Sequence, residues 1–205
     1  MKNIEIKRPC VAEVERCLKI WNTEPEYENF RYQEKSVVMI FREQYPKNTK
    51  IEEVLVKVAV LNDFYAANIF KVYPVARHIV KLDIDNSLAN ADLDIVDKIA
   101  RVDEKSKRHY SFATKYCSHH RPDDFPIYDK FVSKTLTYFK DKFYKSGEFD
   151  LKNYKSFKNV ILEFRKFYKL EQYTLKQLDH YLWVLGREKF TKKSDNTNLE
   201  NNNNQ

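Results

Sequence analysis

Three side chains near the middle of the chain offer a carboxylate, a hydroxyl and an amine, which are groups that can take part in catalysis. Asp129 follows a loop bracketed by Pro122 and Pro126, Ser111 lies 18 residues before it, and Lys115 lies one helical turn after Ser111. A carboxylate can stabilise a developing positive charge, and a lysine amine can act as a nucleophile. Taken alone, Asp129 is equally a good helix N-cap.

The stretch Tyr110–Leu136 predicts the elements that would position these groups. We expect a helix over Tyr110–His120, a loop over Arg121–Ile127 and a second helix that opens near Asp129. The prolines of the loop lack a backbone N–H and push the residues before them away from helical angles. Asp129 should therefore lie at a helix N-terminus, where a carboxylate caps free N–H groups and meets the positive end of the helix dipole.

Two segments carry a resemblance to a known family. Residues 125–136, FPIYDKFVSKTL, resemble the segment of helix-hairpin-helix DNA glycosylases that delivers a catalytic aspartate at a helix start. Residues 175–190, LKQLDHYLWVLGREKF, resemble the last helix of the 8-oxoguanine DNA glycosylase-like branch. The resemblance covers roughly residues 55–190 and implies a two-lobed helical glycosylase-like domain that binds double-stranded DNA with an extruded base.

The resemblance also implies roles for particular residues. It assigns Asp129 as the carboxylate that stabilises the oxocarbenium-like sugar when the N-glycosidic bond of a damaged or modified base is cleaved. Enzymes of this superfamily with lyase activity carry a lysine at the position of Ser111. Serine cannot form a Schiff base, which implies a monofunctional hydrolase, although Lys115 keeps the lyase alternative open. His180 and Trp183 are the implied lining of the base pocket.

Two features leave alternatives open. The superfamily's hairpin is glycine-rich, but the corresponding segment Asp103–Arg108 has no glycine. The chain could therefore be a non-enzymatic nucleic-acid-binding module with a degenerate glycosylase fold. Asn62 lies where the superfamily supplies a polar wedge that fills the gap left by the extruded base. The alternative is that Asn62 and Asp63 simply begin a helix that extends through Ile79 with a kink at Pro74.

Composition and periodicity favour an all-α protein. Only 2 of the 205 residues are glycine, which argues against a turn-rich β architecture. Apolar residues recur at spacings of three and four, and capping boxes are predicted at Thr49–Glu52 and Thr174–Gln177. Gly186 is expected to end the last helix. We expect a single helical domain over residues 1–190, with two lobes as an alternative, and a disordered Asn-rich tail over residues 191–205.

Positive charge is concentrated in one part of the chain. Lys130–Lys169 contains eleven Lys and Arg against four Asp and Glu, a local excess equal to the formal net charge of +7. This predicts DNA binding through phosphates, with Lys130 and Lys134 and the helix-end His119 and His120 as candidate contacts. The aromatic residues interleaved with these lysines could stack on unpaired bases or fill the core.

The cysteines and the hydropathy pattern predict a cytoplasmic protein. The 3 cysteines form no CxxC pair, which suits a reducing compartment. No apolar run approaches the ~20 residues of a transmembrane helix, and the N-terminus lacks a signal-peptide core. Cys117, His119 and His120 have the chemistry of zinc ligands, but no second ligand cluster accompanies them. We expect a monomer without a metal, another cofactor or membrane contact.

Overall fold

The computed structural model describes residues 6–103, 107–145 and 147–191, and within these ranges it contains ten α-helices and no strand. The all-α fold class is therefore confirmed. The Asn-rich tail beyond residue 191 lies outside the described residues. No helix in the described ranges combines the length and apolarity needed to cross a membrane. The helices are α1 (Val11–Thr23), α2 (Glu28–Val38), α3 (Ile51–Phe64), α4 (Val72–Leu82), α5 (Asp85–Ala89), α6 (Asp94–Ala100), α7 (Tyr110–His120), α8 (Lys130–Phe143), α9 (Tyr154–Phe167) and α10 (Leu175–Phe190).

The apolar stripes of these helices meet in one contiguous core. α10 packs against α8 and α1, and α3 packs against α4 and α7. Several rings of the basic stretch, among them Phe139, Phe143 and Tyr154, are buried in this core. These rings are core residues, so they are not available to stack on bases.

α10 does not end at Gly186, as predicted, but continues to Phe190. Gly186 faces α8, where a Cβ would lie 2.7 Å from both the Phe131 carbonyl oxygen and Thr135 Oγ1. The glycine therefore permits a close approach of two helices rather than a helix end. The capping box at the other end of α10 is confirmed, because Thr174 and Gln177 exchange both of its hydrogen bonds.

The capping box predicted at Thr49–Glu52 is wrong. α3 begins at Ile51 with Lys50 as its N-cap, and no side chain caps it. The helix thus begins one residue later than predicted. Glu53 forms an ion pair with Lys50 at 3.0 Å, and Thr49 takes no part in a capping box.

A buried lysine ties the segment before α3 to α7. Lys57 is fully buried, and its Nζ donates to the carbonyls of Tyr45 and Lys47 and to Asn48 Oδ1, at 3.0, 2.7 and 2.6 Å. The Tyr116 hydroxyl donates to the same Asn48 oxygen at 2.6 Å. Burial lowers the pKa of Lys57 to about 8. Because a buried cation is costly without partners, this network fixes α7 relative to α3.

Candidate functional site

Helices α1, α2, α3, α7, α8 and α10 contribute to the wall of a pocket of about 350 Å³, which we call the aromatic pocket. Four of the residues predicted from sequence line it, namely Lys115, Asp129, His180 and Trp183. Its volume falls in the range of about 300–1,000 Å³ that is typical of small-ligand sites. The other lining residues are Trp21, Phe30, Gln33, Glu34, Phe64, Tyr65, Ala66, Ile127, Phe131, Lys176, Asp179 and Arg187.

Asp129 is both the N-cap of α8 and part of the pocket wall. Its backbone is extended, and its Oδ1 accepts a hydrogen bond from the Phe131 backbone N–H at 2.7 Å. The predicted helix start is thus confirmed. The cap bond fixes the carboxylate at the positive end of the α8 dipole, in the wall of the pocket.

Lys115 reaches the aromatic pocket, whereas Ser111 does not line it. Lys115 is 6% exposed, and its Nζ donates to Ser111 Oγ at 2.6 Å. Burial lowers the pKa of Lys115, and the charge of Asp129 opposes this shift without cancelling it. Ser111 Oγ in turn donates to the Tyr128 carbonyl at 3.0 Å. The α7 amine that shares the pocket wall with Asp129 therefore comes from the helical turn after Ser111.

A cluster of charged groups from α2 and α10 forms another part of the wall. The Glu34 carboxylate pairs with Lys176 and lies 3.1 Å from His180 Nε2. Burial alone would raise the pKa of Glu34, but the hydrogen bond with His180 and the charge of Lys176 outweigh it and hold the pKa well below its usual range. Asp179 lies 3.6 Å from Lys176 Nζ, and burial raises the pKa of Asp179. The pocket thus offers hydrogen-bonding groups of both charges.

Aromatic rings give the pocket an apolar wall, in which most rings meet edge-on. The Trp21 ring stacks on the His180 ring with centroids 4.2 Å apart. Trp183 contacts Trp21 edge-on at 5.7 Å and Phe30 at 5.1 Å. The Arg187 guanidinium lies 4.9 Å from the centre of the Phe30 ring. These rings offer apolar contacts that an aromatic ligand can meet face-on or edge-on.

A second cavity of about 260 Å³ adjoins the aromatic pocket, and we call it the basic cavity. Tyr65, Ala66 and Lys115 line both cavities. Lys152 Nζ lies 4.3 Å from the centre of the Tyr128 ring, and the Arg108 guanidinium forms an ion pair with Asp97. The remaining lining residues are Leu61, Ala67, Lys107, Arg108, His109, Tyr110, Ser111, Phe112 and Lys152. An apolar pocket therefore meets a cationic one, with Lys115 at their boundary.

Asn62 does not begin a helix, and its amide is not free to act as a wedge. α3 continues through Phe64, and a loop separates it from α4, where Pro74 lies in the first turn and produces no kink. Asn62 Oδ1 accepts from the Ile69 N–H at 2.8 Å, and its Nδ2 donates to the Ile69 carbonyl at 3.1 Å. Asn62 thus closes the loop that follows α3.

The two histidines at the end of α7 point into the protein. His119 is 2% exposed, and its Nε2 lies 2.9 Å from the Tyr65 hydroxyl. His120 packs on the rings of Phe41 and Tyr116, and its buried Nε2 has no hydrogen-bond partner among the described residues. These placements do not suit the phosphate contacts predicted for both residues. Among the described residues, no three His, Cys, Asp or Glu side chains are grouped so as to hold a metal ion.

These buried histidines should make stability fall in acid. Burial lowers the pKa of His120 to about 3 and that of His119 well below its ordinary value. The unfolded chain then binds more protons than the folded chain below pH ~6.5, so the stabilisation present above that pH is lost as the pH falls. Between pH 7 and pH 5, we expect the unfolding free energy of wild type to fall by roughly 2 kcal/mol relative to that of His120→Gln. Denaturant titrations at the two pH values measure this difference, and parallel profiles would contradict it.

Lys130 and Lys134 lie on the exposed side of α8. Their Nζ atoms are 5.9 Å and 5.5 Å from the ring centres of Phe131 and Phe190. Both ammonium groups can therefore meet solvent ions, and the phosphate contacts stay a prediction.

The sequence interpretation missed most of the pocket wall, because it assigned only 4 of the 16 lining residues to a site. Trp21 showed only the apolar spacing that is typical of a core face, and Glu34 carried no recognisable pattern. The spacing of Lys176, Asp179 and His180 did carry a signal, because residues three and four apart share one helix face. Applied to α10, that rule would have grouped them with Trp183.

The chain belongs to the family described as HI_0787_N, N-terminal domain, whose model matches residues 13–124. A relative, an uncharacterized protein of Haemophilus influenzae (strain ATCC 51907 / DSM 11121 / KW20 / Rd), is 45% identical over 150 residues, which cover 71% of this chain and 72% of the relative. No solved structure matches the chain. The family match includes Lys115 and ends before Asp129, so the aromatic pocket combines residues from inside and outside the matched segment.

Proposed function

We propose that the protein is a DNA glycosylase that cleaves the N-glycosidic bond of a damaged or modified base, as its resemblance to helix-hairpin-helix glycosylases implies. The observation that carries the proposal is the junction of the aromatic pocket and the basic cavity at Lys115, with Asp129 in the wall. A nucleotide presents a planar base, a sugar and a phosphate in that order. The aromatic rings, the pocket wall with Lys115 and Asp129, and the cations of the basic cavity offer matching surroundings.

The chemistry follows from the groups in the wall. An extruded base enters the aromatic pocket, where its edge can bond the charged cluster of Glu34, Lys176 and Asp179. As the bond between C1′ and the base nitrogen breaks, its electron pair leaves with the base and positive charge develops on the sugar. The Asp129 carboxylate stabilises that charge and can take a proton from an attacking water.

Lys115 supports a second form of this activity, in which its amine replaces water as the nucleophile. Its neutral form is favoured by burial, and it lines the pocket together with Asp129. Attack of Nζ on C1′ would expel the base and, after the sugar ring opens, leave a Schiff base with the loss of a proton from nitrogen. The expectation of a monofunctional enzyme came from Ser111, which lies outside the aromatic pocket.

Borohydride reduction separates the two forms. We expect borohydride to trap wild type covalently on a duplex that it excises, because reduction fixes the Schiff base. We expect no trapping of Lys115→Met. Lys19→Met, which removes an exposed lysine on α1 that lines neither cavity, should be trapped like wild type. Excision without trapping would assign the nucleophile to water and leave the monofunctional form.

Excision itself is tested by incubating wild type with duplexes that each carry one damaged or modified base, followed by detection of the released base. Release of a base supports the proposal. Salt-sensitive duplex binding without release from any duplex would favour the non-enzymatic binding module, the alternative suggested by the absence of glycine in Asp103–Arg108.

A further inference from the structure

A further cavity, which we call the arginine cleft, lies between the segment that follows α2, helix α5 and the C-terminal end of α7. Its volume is about 270 Å³, and its described lining residues include none of those that line the aromatic pocket or the basic cavity. All of them fall between Phe41 and Arg121, inside the segment that the family model matches. The matched domain therefore builds this cleft by itself.

The segment that follows α2 enters the cleft wall through a wide helical turn. α2 continues directly into a π-helix over Met39–Gln44, and the Tyr45 N–H donates to the Ile40 carbonyl, five residues earlier, at 2.9 Å. π-Helical turns are rare and often occur at functional sites. This turn places Phe41 in the core and its neighbour Arg42 in the cleft wall.

Two arginines of the wall are held in place by hydrogen bonds. Arg42 Nε donates to the His119 carbonyl at 2.8 Å, which uses one of the five N–H donors of the guanidinium. Arg121 Nε donates to Asp124 Oδ2 at 3.0 Å. Because both side chains are ordered before a ligand binds, less of the binding free energy is lost in fixing them.

Positive charge outweighs negative charge in this wall. In the described part of the chain, no ion pair involves Arg42 or Lys47. Asp85 also lines the cleft, but both of its carboxylate oxygens accept hydrogen bonds from Asn48, at 3.1 and 2.6 Å. The charge of Asp85 favours the charged form of Lys57, which donates to the same Asn48. The charges of Arg42 and Lys47 therefore remain for a ligand.

His120 lines the cleft as a neutral ring. Burial, together with the charges of Lys57 and Arg42, lowers the pKa of His120 to about 3. Its Nε2 is buried, so this atom does not reach a ligand in the cleft. An anion in the cleft would therefore meet Arg42 and Lys47.

We propose that the arginine cleft binds a phosphate group through Arg42 and Lys47. Two positive charges match the charge of about −1.5 to −2 that a phosphate monoester carries at pH 7. Phosphate oxygens accept charge-assisted hydrogen bonds, and the planar guanidinium fork of arginine fits their geometry. A cleft strengthens this attraction because it excludes part of the water between the charges. The inference goes beyond the proposed function, since the cleft is separate from the cavities that would hold a nucleotide.

The test is a calorimetric titration of the chain with inorganic phosphate, at an ionic strength held constant with sodium chloride. We expect saturable binding by wild type and about tenfold weaker binding by Lys47→Gln, because a charge-assisted hydrogen bond is lost. Arg42→Gln should weaken binding by at least as much. Lys19→Gln and Arg77→Gln remove exposed cations from α1 and α4, outside the cleft, and should bind like wild type.

The exposed Lys47 decides the outcome, because removal of Arg42 also breaks a bond to α7 and can disturb folding. No saturable phosphate binding by wild type, or equal binding by wild type and Lys47→Gln, would overturn the site. Where phosphate binds as expected, duplex titrations identify its source. Weaker duplex binding by Lys47→Gln would assign the site to a backbone phosphate of DNA, and unchanged duplex binding would assign it to a free phosphate compound. Base release tests the proposed function separately, since neither Arg42 nor Lys47 lines the aromatic pocket.

Discussion

Replacement of Asp129 by asparagine is expected to lower base excision by about 100-fold or more, with duplex binding and thermal stability nearly unchanged. Asparagine caps helices as well as aspartate does, so the bond to the Phe131 N–H survives. The substitution removes the negative charge, so the oxocarbenium-like sugar loses the electrostatic stabilisation that the charge would provide. Single-turnover excision, duplex affinity and the melting temperature measure the three effects.

Asp92→Asn is a matched control for this substitution. Asp92 Oδ1 accepts from the Asp94 N–H at 3.0 Å, which is the same local hydrogen bond that Asp129 makes. Asp92 does not line the aromatic pocket. Its asparagine variant should therefore excise like wild type. Equal excision by Asp129→Asn and Asp92→Asn would leave Asp129 with a capping role alone.

The local part of the candidate site could be predicted from the sequence. The predicted bounds of α7, Tyr110–His120, agree with the structure, and Asp129 begins α8 as expected. Both features depend on signals that act over a few residues, namely proline positions, capping chemistry and apolar spacing. The capping box of Thr174 belongs to the same class.

The rest of the site depends on contacts between distant segments. The pairing of Glu34 with His180 joins residues 146 apart, and nothing local to either residue indicates it. Asn62 was assigned as a polar wedge by resemblance, yet a loop with left-handed residues brings Ile69 back to its amide. Gly186 was assigned to a helix end because glycine favours that position, but close packing with α8 gives it another use.

Gly186→Ala is the second change for which we expect a large effect. In an exposed helix position alanine would stabilise by about 1 kcal/mol relative to glycine. At Gly186 the new Cβ would lie 2.7 Å from the Phe131 carbonyl oxygen and 2.8 Å from Phe131 Cβ. Backbone atoms cannot turn aside as a flexible side chain can, so the helices must separate, at a cost of about 1–3 kcal/mol. We expect the cost of separating the helices to exceed the gain in helix propensity, so the melting temperature should fall by several degrees.

The same displacement should reach the candidate catalytic group. Phe131 lies two residues after Asp129 and donates its cap bond, so a shift of α8 away from α10 moves the carboxylate relative to Lys115. Excision by Gly186→Ala should therefore fall at temperatures where the variant remains folded. Ala59→Gly, at an exposed position of α3, isolates the effect of helix propensity: it should lower stability by about 1 kcal/mol and leave excision unchanged. A Gly186→Ala variant with a raised melting temperature would show that α8 and α10 can separate at little cost, and that Asp129 is not held in place by their close approach.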